Sequence, residues 1–235
     1  MRTRSPRETA RLAGGLLTLM AMTSLPLVAQ AQAQTRPDAT TLAASLQQRY
    51  DRVRDFSADF EHVYEGGALR MQATERGTVL IKKPGQMRWQ YDAPEDKLFV
   101  SDGRTIYAHF PADSQVTVSA MPQADEASAA VLLLTGKGDL VRDFRAAYAD
   151  LPDLAPESYA LRLEPRSSAP EYEALTLVVD RDGLALQQLI SNDRQGGTST
   201  FRFSNLRENI GIADSRFAFT IPADVEVIRH DDVPN

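Results

Sequence analysis

The sequence predicts a mainly β fold in which an antiparallel sheet curls into a barrel or half-barrel. Apolar and polar residues alternate along many short segments, which is the pattern of a strand with one buried face and one solvated face. Turn-forming residues separate these segments, and the segments follow one another at a spacing that suits hairpins. The clearest alternating segments are 56–60, 87–91, 116–118, 159–163 and 175–179, and the turns are Lys83-Pro84-Gly85, Asp102-Gly103, Asp182-Gly183 and Gly196-Gly197.

One amphipathic helix is predicted before the first strand, from about residue 40 to residue 54. No Gly or Pro interrupts this segment, and Asp38 or Thr40 can cap its start. Apolar residues recur in it at helical spacing, at Leu42, Leu46, Tyr50 and Val53.

A second helical region is predicted between residue 124 and about residue 148, which is rich in Ala and Leu. Residues 131–134 are wholly apolar, and Gly136-Lys137-Gly138 interrupts the region, so we expect two short helices inserted in the sheet. These helices can close one end of a barrel for packing alone, or they can act as a gate.

The first 33 residues have the pattern of a secretory signal peptide. Four arginines precede a mainly apolar stretch at 12–29, which ends in the small residues Ala29, Ala31 and Ala33. A membrane anchor is the alternative, but Gly, Thr, Ser and Pro interrupt the stretch, and it falls short of the roughly 20 apolar residues of a spanning helix. We therefore expect cleavage after about residue 33 and a single domain over residues 34–235.

The chain is acidic and has no cysteine. Its formal net charge is −6, so a nucleic-acid partner is not expected, because such a partner requires a basic surface. The absence of cysteine excludes disulfides, cysteine-based zinc sites and a lipid anchor at a cleavage-site cysteine. Together with the signal peptide, these features predict a free periplasmic protein.

The sequence contains no recognisable catalytic or cofactor motif. Its three histidines, His62, His109 and His230, lie far apart, and neither a nucleophile elbow nor a phosphate-binding loop is found. On an otherwise apolar strand face, His62 is more commonly a hydrogen-bonded sheet residue than a general base. We expect no enzymatic activity, no metal and no cofactor, while a carboxylate pair or a triad assembled by folding stays open.

Many large apolar residues lie on the predicted strand faces, and three short helices offer little surface to cover them. The sheet can close over a solid core or over a cavity. A solid core is the more common arrangement, and the sequence pattern is compatible with both.

The stretch from residue 77 to residue 115 resembles the outer-membrane lipoprotein carrier proteins, the LolA family. It reads GTVLIKKPGQMRWQYDAPEDKLFVSDGRTIYAHFPADSQ. A basic residue before Pro, a strand that contains Trp, a second Pro and the tetrapeptide V-S-D-G follow one another in the family's order. Similar segments occur at 56–60, 175–183 and 217–227. The resemblance therefore spans nearly all of the chain after the signal peptide.

The resemblance implies an incomplete, strongly curved antiparallel β-barrel of about 11 strands, covered by short helices that form a lid. It also implies a periplasmic carrier that shelters the acyl chains of lipoproteins and moves them from the inner membrane to the outer membrane. The expected partners are the lipid-modified cargo, an inner-membrane ABC transporter that loads it and an outer-membrane acceptor lipoprotein. The protein is expected to be a monomer. The alternative is a related carrier of another lipid or glycolipid in a dedicated export pathway.

The resemblance also assigns candidate site residues. Lys83 and Pro84 match a rim position implicated in lid closure and in contact with the transporter, although the family usually has Arg where this chain has Lys83. His62 stands where Gln is frequent, and Met87 where an aromatic residue is frequent. The acyl cavity is expected to be lined by Leu80, Met87, Trp89, Leu98 and Phe99, and the lid to include Val131, Leu132 and Leu133.

Overall fold

The computed structural model describes residues 36–66, 71–121, 138–166 and 172–230. Helix α1 spans Ala39–Arg52, within two residues of the predicted ends, and confirms the predicted amphipathic helix. Asp38 caps it, because its carboxylate accepts a hydrogen bond from the backbone N–H of Thr41 at 2.9 Å. No helix in these ranges is long and apolar enough to cross a bilayer.

Twelve strands are found among the described residues, and they form one sheet. They are β1 (Asp55–Gly66), β2 (Met71–Lys82), β3 (Gln86–Ala93), β4 (Lys97–Asp102), β5 (Thr105–Phe110), β6 (Gln115–Ala120), β7 (Phe144–Tyr148), β8 (Ser158–Pro165), β9 (Ala174–Asp180), β10 (Leu186–Asn192), β11 (Gly197–Glu208) and β12 (Glu226–Arg229). Short 3₁₀ turns lie at Pro111–Asp113 and Asp214–Phe217.

The strand order across the sheet is β12-β6-β5-β4-β3-β2-β1-β11-β10-β9-β8-β7. All neighbouring pairs are antiparallel except β12 and β6, which are parallel. Strands β12 and β7 form the two edges and do not pair with each other, so the sheet remains open. The predicted incomplete antiparallel barrel is confirmed, with twelve strands where about 11 were expected.

The second helical region was predicted wrongly at its C-terminal end. Residues 139–143 form a turn, and Phe144–Tyr148 is strand β7, which pairs with β8. Phe144, Ala146 and Tyr148 pack against the core, while Arg145 and Ala147 are exposed. Pairing with β8 thus overrides the helix propensity of the alanines. The earlier part of the predicted helices, up to residue 137, lies outside the described residues.

The two faces of the sheet are covered differently. On the inner face, α1 packs through Leu42, Leu46 and Tyr50 into an apolar cluster that also contains Leu161 and Leu177. On the outer face, the turn Asp214–Phe217 contacts β3 and β4, and its Phe217 is buried. All the strand residues from Ala174 to Val179 are buried, and Leu175, Leu177 and Val179 belong to the same apolar cluster as α1.

Candidate functional site

Aromatic side chains from five strands meet on the inner face, beyond the area that α1 covers. The ring centroids of Phe60 and Trp89 are 5.1 Å apart, those of Phe60 and Tyr91 4.9 Å, and those of Trp89 and Phe201 5.3 Å. Most of these contacts are edge-on, the arrangement that aromatic rings prefer. We call this group the aromatic face; it consists of Phe60, Trp89, Tyr91, Phe99, Phe110, Phe201 and Phe203.

Gly77 on β2 lies between Phe60 on β1 and Tyr91 on β3 in the strand register. A Cβ atom added to Gly77 would stand 1.9 Å from the carbonyl oxygen of Gln90. The register between β2 and β3 also shifts at this residue. The glycine therefore lets the β3 backbone approach closely and places no side chain between the rings of Phe60 and Tyr91.

The aromatic face is only partly covered. Phe60 is 3% exposed, but Trp89, Phe99, Phe201 and Phe203 are all only half-buried. Contiguous apolar surface that stays in contact with water is free-energetically costly and is typical of a binding surface. The arrangement can bind an extended apolar ligand.

The structure brings only part of the predicted cavity lining to this face. Met87, Trp89 and Phe99 lie on the inner face, where Trp89 pairs with Val79 on one side and Phe99 on the other. Leu80 and Leu98 point to the outer face, so their predicted placement beside Trp89 is corrected. Successive residues of a strand point to opposite faces, so Leu98 and its neighbour Phe99 cannot line one surface.

Lys83 lies at the end of β2 and contacts α1. Its Nζ donates a hydrogen bond to the carbonyl oxygen of Tyr50, in the last turn of the helix, and stands 5.5 Å from the centre of the Tyr50 ring. A cation at this position is favoured by the helix dipole. Burial lowers the pKa of Lys83 below its ordinary value, while Asp51 and Glu208 act in the opposite direction.

The carbonyl that accepts the hydrogen bond of Lys83 thus belongs to α1, the helix that packs on the inner face of the sheet. Pro84 follows in the exposed turn between β2 and β3. The predicted lid residues Val131, Leu132 and Leu133 lie outside the described residues.

A polar cluster borders the aromatic face, and it was not predicted from the sequence. His62 stacks on the ring of Phe201, with centroids 4.1 Å apart, and lies between Glu75 and Ser199. Lys97 forms an ion pair with Glu75 and stands 5.2 Å from the centre of the Tyr91 ring. The charged groups of this cluster are thus paired or hydrogen-bonded, as buried polar groups must be.

Ser199, His62 and Glu75 are connected in the order of a hydrolase triad. His62 Nε2 is 3.0 Å from the Ser199 hydroxyl, and its Nδ1 is 3.2 Å from a Glu75 carboxylate oxygen. However, Ser199 lies inside β11 between two paired strands, β1 and β10, so backbone N–H groups around it are bonded within the sheet. An oxyanion site needs such groups to be free. We interpret the cluster as a polar border of the aromatic face.

The polar cluster predicts a loss of stability in mild acid. Burial lowers the pKa of His62 below its ordinary 6.5, and this effect outweighs the hydrogen bond to Glu75, which raises it. Stability that the neutral histidine contributes is therefore present above pH 6.5 and is lost as the pH falls below that value. Burial raises the pKa of Glu75, but hydrogen bonds from Lys97 and His62 lower it by more, so the net shift is downward. The stability that the ionised Glu75 contributes is therefore also lost as the pH falls, over a lower pH range than for His62.

The measurement is the melting temperature by circular dichroism at about pH 7.5 and about pH 5, on either side of the ordinary histidine pKa. We expect a larger acid-induced decrease for the native protein than for His62→Gln, in which the other two histidines are retained. Equal decreases in the two proteins would contradict the assignment to His62.

Within residues 36–66, 71–121, 138–166 and 172–230, no three His, Asp or Glu side chains are grouped so that they could hold a metal ion.

Comparison with known proteins agrees with this geometry. A family model described as outer membrane lipoprotein carrier protein LolA matches residues 51–220. An outer-membrane lipoprotein carrier protein of Chromohalobacter salexigens is 32% identical over 214 residues, covering 91% of this chain and 95% of the relative. The corresponding protein of Dechloromonas aromatica is 30% identical, covering 79% and 88%, and that of Bordetella avium is 29% identical, covering 76% and 82%. The family resemblance seen in the sequence is confirmed, and this chain belongs to the LolA family of outer-membrane lipoprotein carrier proteins.

Proposed function

We propose that the protein is a carrier that shelters the acyl chains of lipoproteins on its aromatic face. The observation that carries this proposal is the half-buried state of Trp89, Phe99, Phe201 and Phe203, which leaves apolar surface for a ligand. Each CH₂ group of an acyl chain costs about 0.8 kcal/mol when it is exposed to water, so a lipoprotein needs such a shelter to cross an aqueous space. Membership of the carrier family supports the proposal.

The carrier acts in the periplasm, between the inner and the outer membrane. Residues 1–33 direct export as a cleaved signal peptide, and residues 34–235 form the carrier domain. The cargo is received from an inner-membrane ABC transporter and passed to an outer-membrane acceptor lipoprotein. The names of the relatives, outer-membrane lipoprotein carrier proteins, support this route. In the proposed route the protein carries the cargo and catalyses no reaction.

Fluorescence of Trp89 tests acyl binding directly, because this is the only tryptophan. A fatty-acyl ligand on the aromatic face would displace water from the half-buried indole, so we expect a blue shift or an intensity change that saturates at micromolar ligand. Native mass spectrometry of the protein purified from periplasm should then show lipoprotein as the bound cargo. A folded protein that gives no saturable signal would contradict the carrier proposal, and a bound glycolipid would favour the other lipid carrier.

Lys83 is proposed as a contact that governs handover of the cargo. Its bond to the Tyr50 carbonyl ties the end of α1 to the rim of the sheet, and a hydrogen bond of this kind contributes about 0.5–1.5 kcal/mol. We expect Lys83→Leu to remain folded and to bind acyl ligands but to transfer lipoprotein more slowly to a purified acceptor. Lys83→Arg is the control, because it keeps the charge with more donors. Unchanged transfer by Lys83→Leu would show that Lys83 only stabilises α1.

A further inference from the structure

The outer face carries a cleft that the carrier function does not use. It lies opposite the aromatic face, has a volume of about 470 Å³ and opens to solvent. Its floor is formed by the outward residues of β1 and β2, including Ser57, Thr78 and Leu80. A cleft of this volume lies within the usual range of small-molecule sites.

Three arginines surround the cleft, and each comes from a different element. Arg88 extends from β3, Arg207 from β11 and Arg216 from the turn Asp214–Phe217. None of the three forms an ion pair within the described part of the chain. The only hydrogen bond of their guanidinium groups in these ranges is a long one, 3.4 Å, from Arg88 to Gln90.

The neighbouring arginines on the same face are paired, which makes this set distinct. Arg76 and Arg202 both contact Glu61, at 2.8 Å and 3.5 Å. The carboxylate that lines the cleft is Asp59, and it already accepts a hydrogen bond from Asn205 at 2.6 Å. The cleft therefore holds three guanidinium groups and one carboxylate in a protein whose formal net charge is −6.

The positive charges in the cleft also disfavour one another. Arg88 is half-buried, and its pKa is lowered first by burial and then by the charge of Arg216. An anion between the two would remove this repulsion and would accept hydrogen bonds from both. The oxygens of a tetrahedral phosphate point in several directions and can accept hydrogen bonds from guanidinium groups on different elements, whereas the two oxygens of a carboxylate lie in one plane.

We propose that this cleft binds a phosphate group with a small organic substituent, such as a phospholipid headgroup or a soluble phosphate ester. The guanidinium groups of Arg88, Arg207 and Arg216 donate to the phosphate oxygens. The remaining volume, bordered by Ser57, Thr78 and Gln90, holds the substituent. The site is separate from the aromatic face, so it does not depend on the carrier function.

The test uses the chain without its first 33 residues and glycerol 3-phosphate as the ligand, at constant ionic strength. The arginine Nε–Hε signals in NMR spectra report binding, and acetate is titrated in parallel as a carboxylate. We expect saturable binding of glycerol 3-phosphate, weakened about tenfold in Arg216→Gln, since a charge-assisted hydrogen bond contributes at least that factor. The matched control is Arg194→Gln, which removes the same charge from an exposed turn away from the cleft, and its affinity should be unchanged.

Vesicles distinguish the two sources of the phosphate. Cosedimentation with phosphatidylglycerol vesicles that is lost in Arg216→Gln identifies a lipid headgroup, whereas binding of glycerol 3-phosphate alone identifies a soluble ester. The proposal is overturned by absence of saturable binding, by acetate binding as tightly as glycerol 3-phosphate, or by equal weakening in the two arginine variants. Acyl binding measured by Trp89 fluorescence should persist in Arg216→Gln, so failure of this site and failure of the carrier proposal give different results.

Discussion

Gly77→Ala is expected to destabilise the protein strongly, and by much more than Gly183→Ala. The new methyl group would stand 1.9 Å from the backbone oxygen of Gln90, and a backbone atom cannot rotate away as a side chain can. Strands β2 and β3 would have to separate at the centre of the sheet. We expect the free energy of unfolding to decrease by about 3 kcal/mol, which is the upper range for overpacking. For a domain of this size, this decrease corresponds to a melting temperature lower by about 6–12 °C.

Gly183→Ala is the matched control for this prediction. Gly183 also lacks a left-handed backbone angle, and the atom nearest to its added Cβ is an Asp180 carboxylate oxygen at 3.5 Å, which is ordinary contact. Its melting temperature should change by little. Thermal unfolding followed by circular dichroism measures both variants, and similar melting temperatures for the two would disprove the close approach at Gly77.

Phe99→Gln is expected to weaken acyl binding by about 10- to 100-fold, while Leu98→Gln leaves it unchanged. Phe99 lies on the aromatic face, with its ring 5.7 Å from that of Tyr91, whereas Leu98 points to the outer face. Burial of a phenylalanine side chain against a ligand contributes about 1.5–3 kcal/mol, which gives this range of affinity. The two residues are adjacent and both half-buried. A difference between the two variants therefore reports on the face of the sheet to which the side chain points, and not on its position along the strand.

Binding in these two variants is measured by the Trp89 fluorescence titration, after circular dichroism has shown that each variant is folded. Equal weakening in both would mean that the strand is perturbed as a whole. Weakening in Leu98→Gln alone would move the acyl site to the outer face and would contradict the proposed function.

Local patterns in the sequence predicted most of the fold because they depend on neighbours along the chain. The carboxylate at Asp38 and the apolar period from Leu42 to Tyr50 specify α1 without reference to the rest of the protein. The alternation around Trp89 likewise specifies β3. The error at Phe144–Tyr148 arose because two alanines there favour a helix locally, while the pairing with β8 that decides the structure is a tertiary contact.

The composition of the aromatic face and its border was predicted less well, for two different reasons. The outward placement of Leu98 was accessible from the sequence, because two adjacent strand residues cannot share a face and Phe99 was also chosen. The placement of Leu80 depends on the register between β2 and β3, in which Val79 pairs with Trp89 and Leu80 with Arg88. The polar cluster was not accessible. His62 and Ser199 are separated by 137 positions, and no local pattern connects them.

Strand β1 occupies the centre of the sheet between β2, which follows it directly, and β11, which is made near the end of the chain. The strands from β1 to β6 can form a meander from local contacts, and the strands from β7 to β11 can form a second one. Within the sheet, the two halves are joined where β1 pairs with β11, across separations of up to 152 residues, from Phe56 to Glu208. Non-local pairing of this kind is slow, because a long loop must be ordered before contacts compensate for it. A chain delivered from its N-terminus would therefore hold Phe60 and Trp89 on an unfinished sheet until Phe201 arrives, so the joining of β1 and β11 is the expected rate-limiting step of folding.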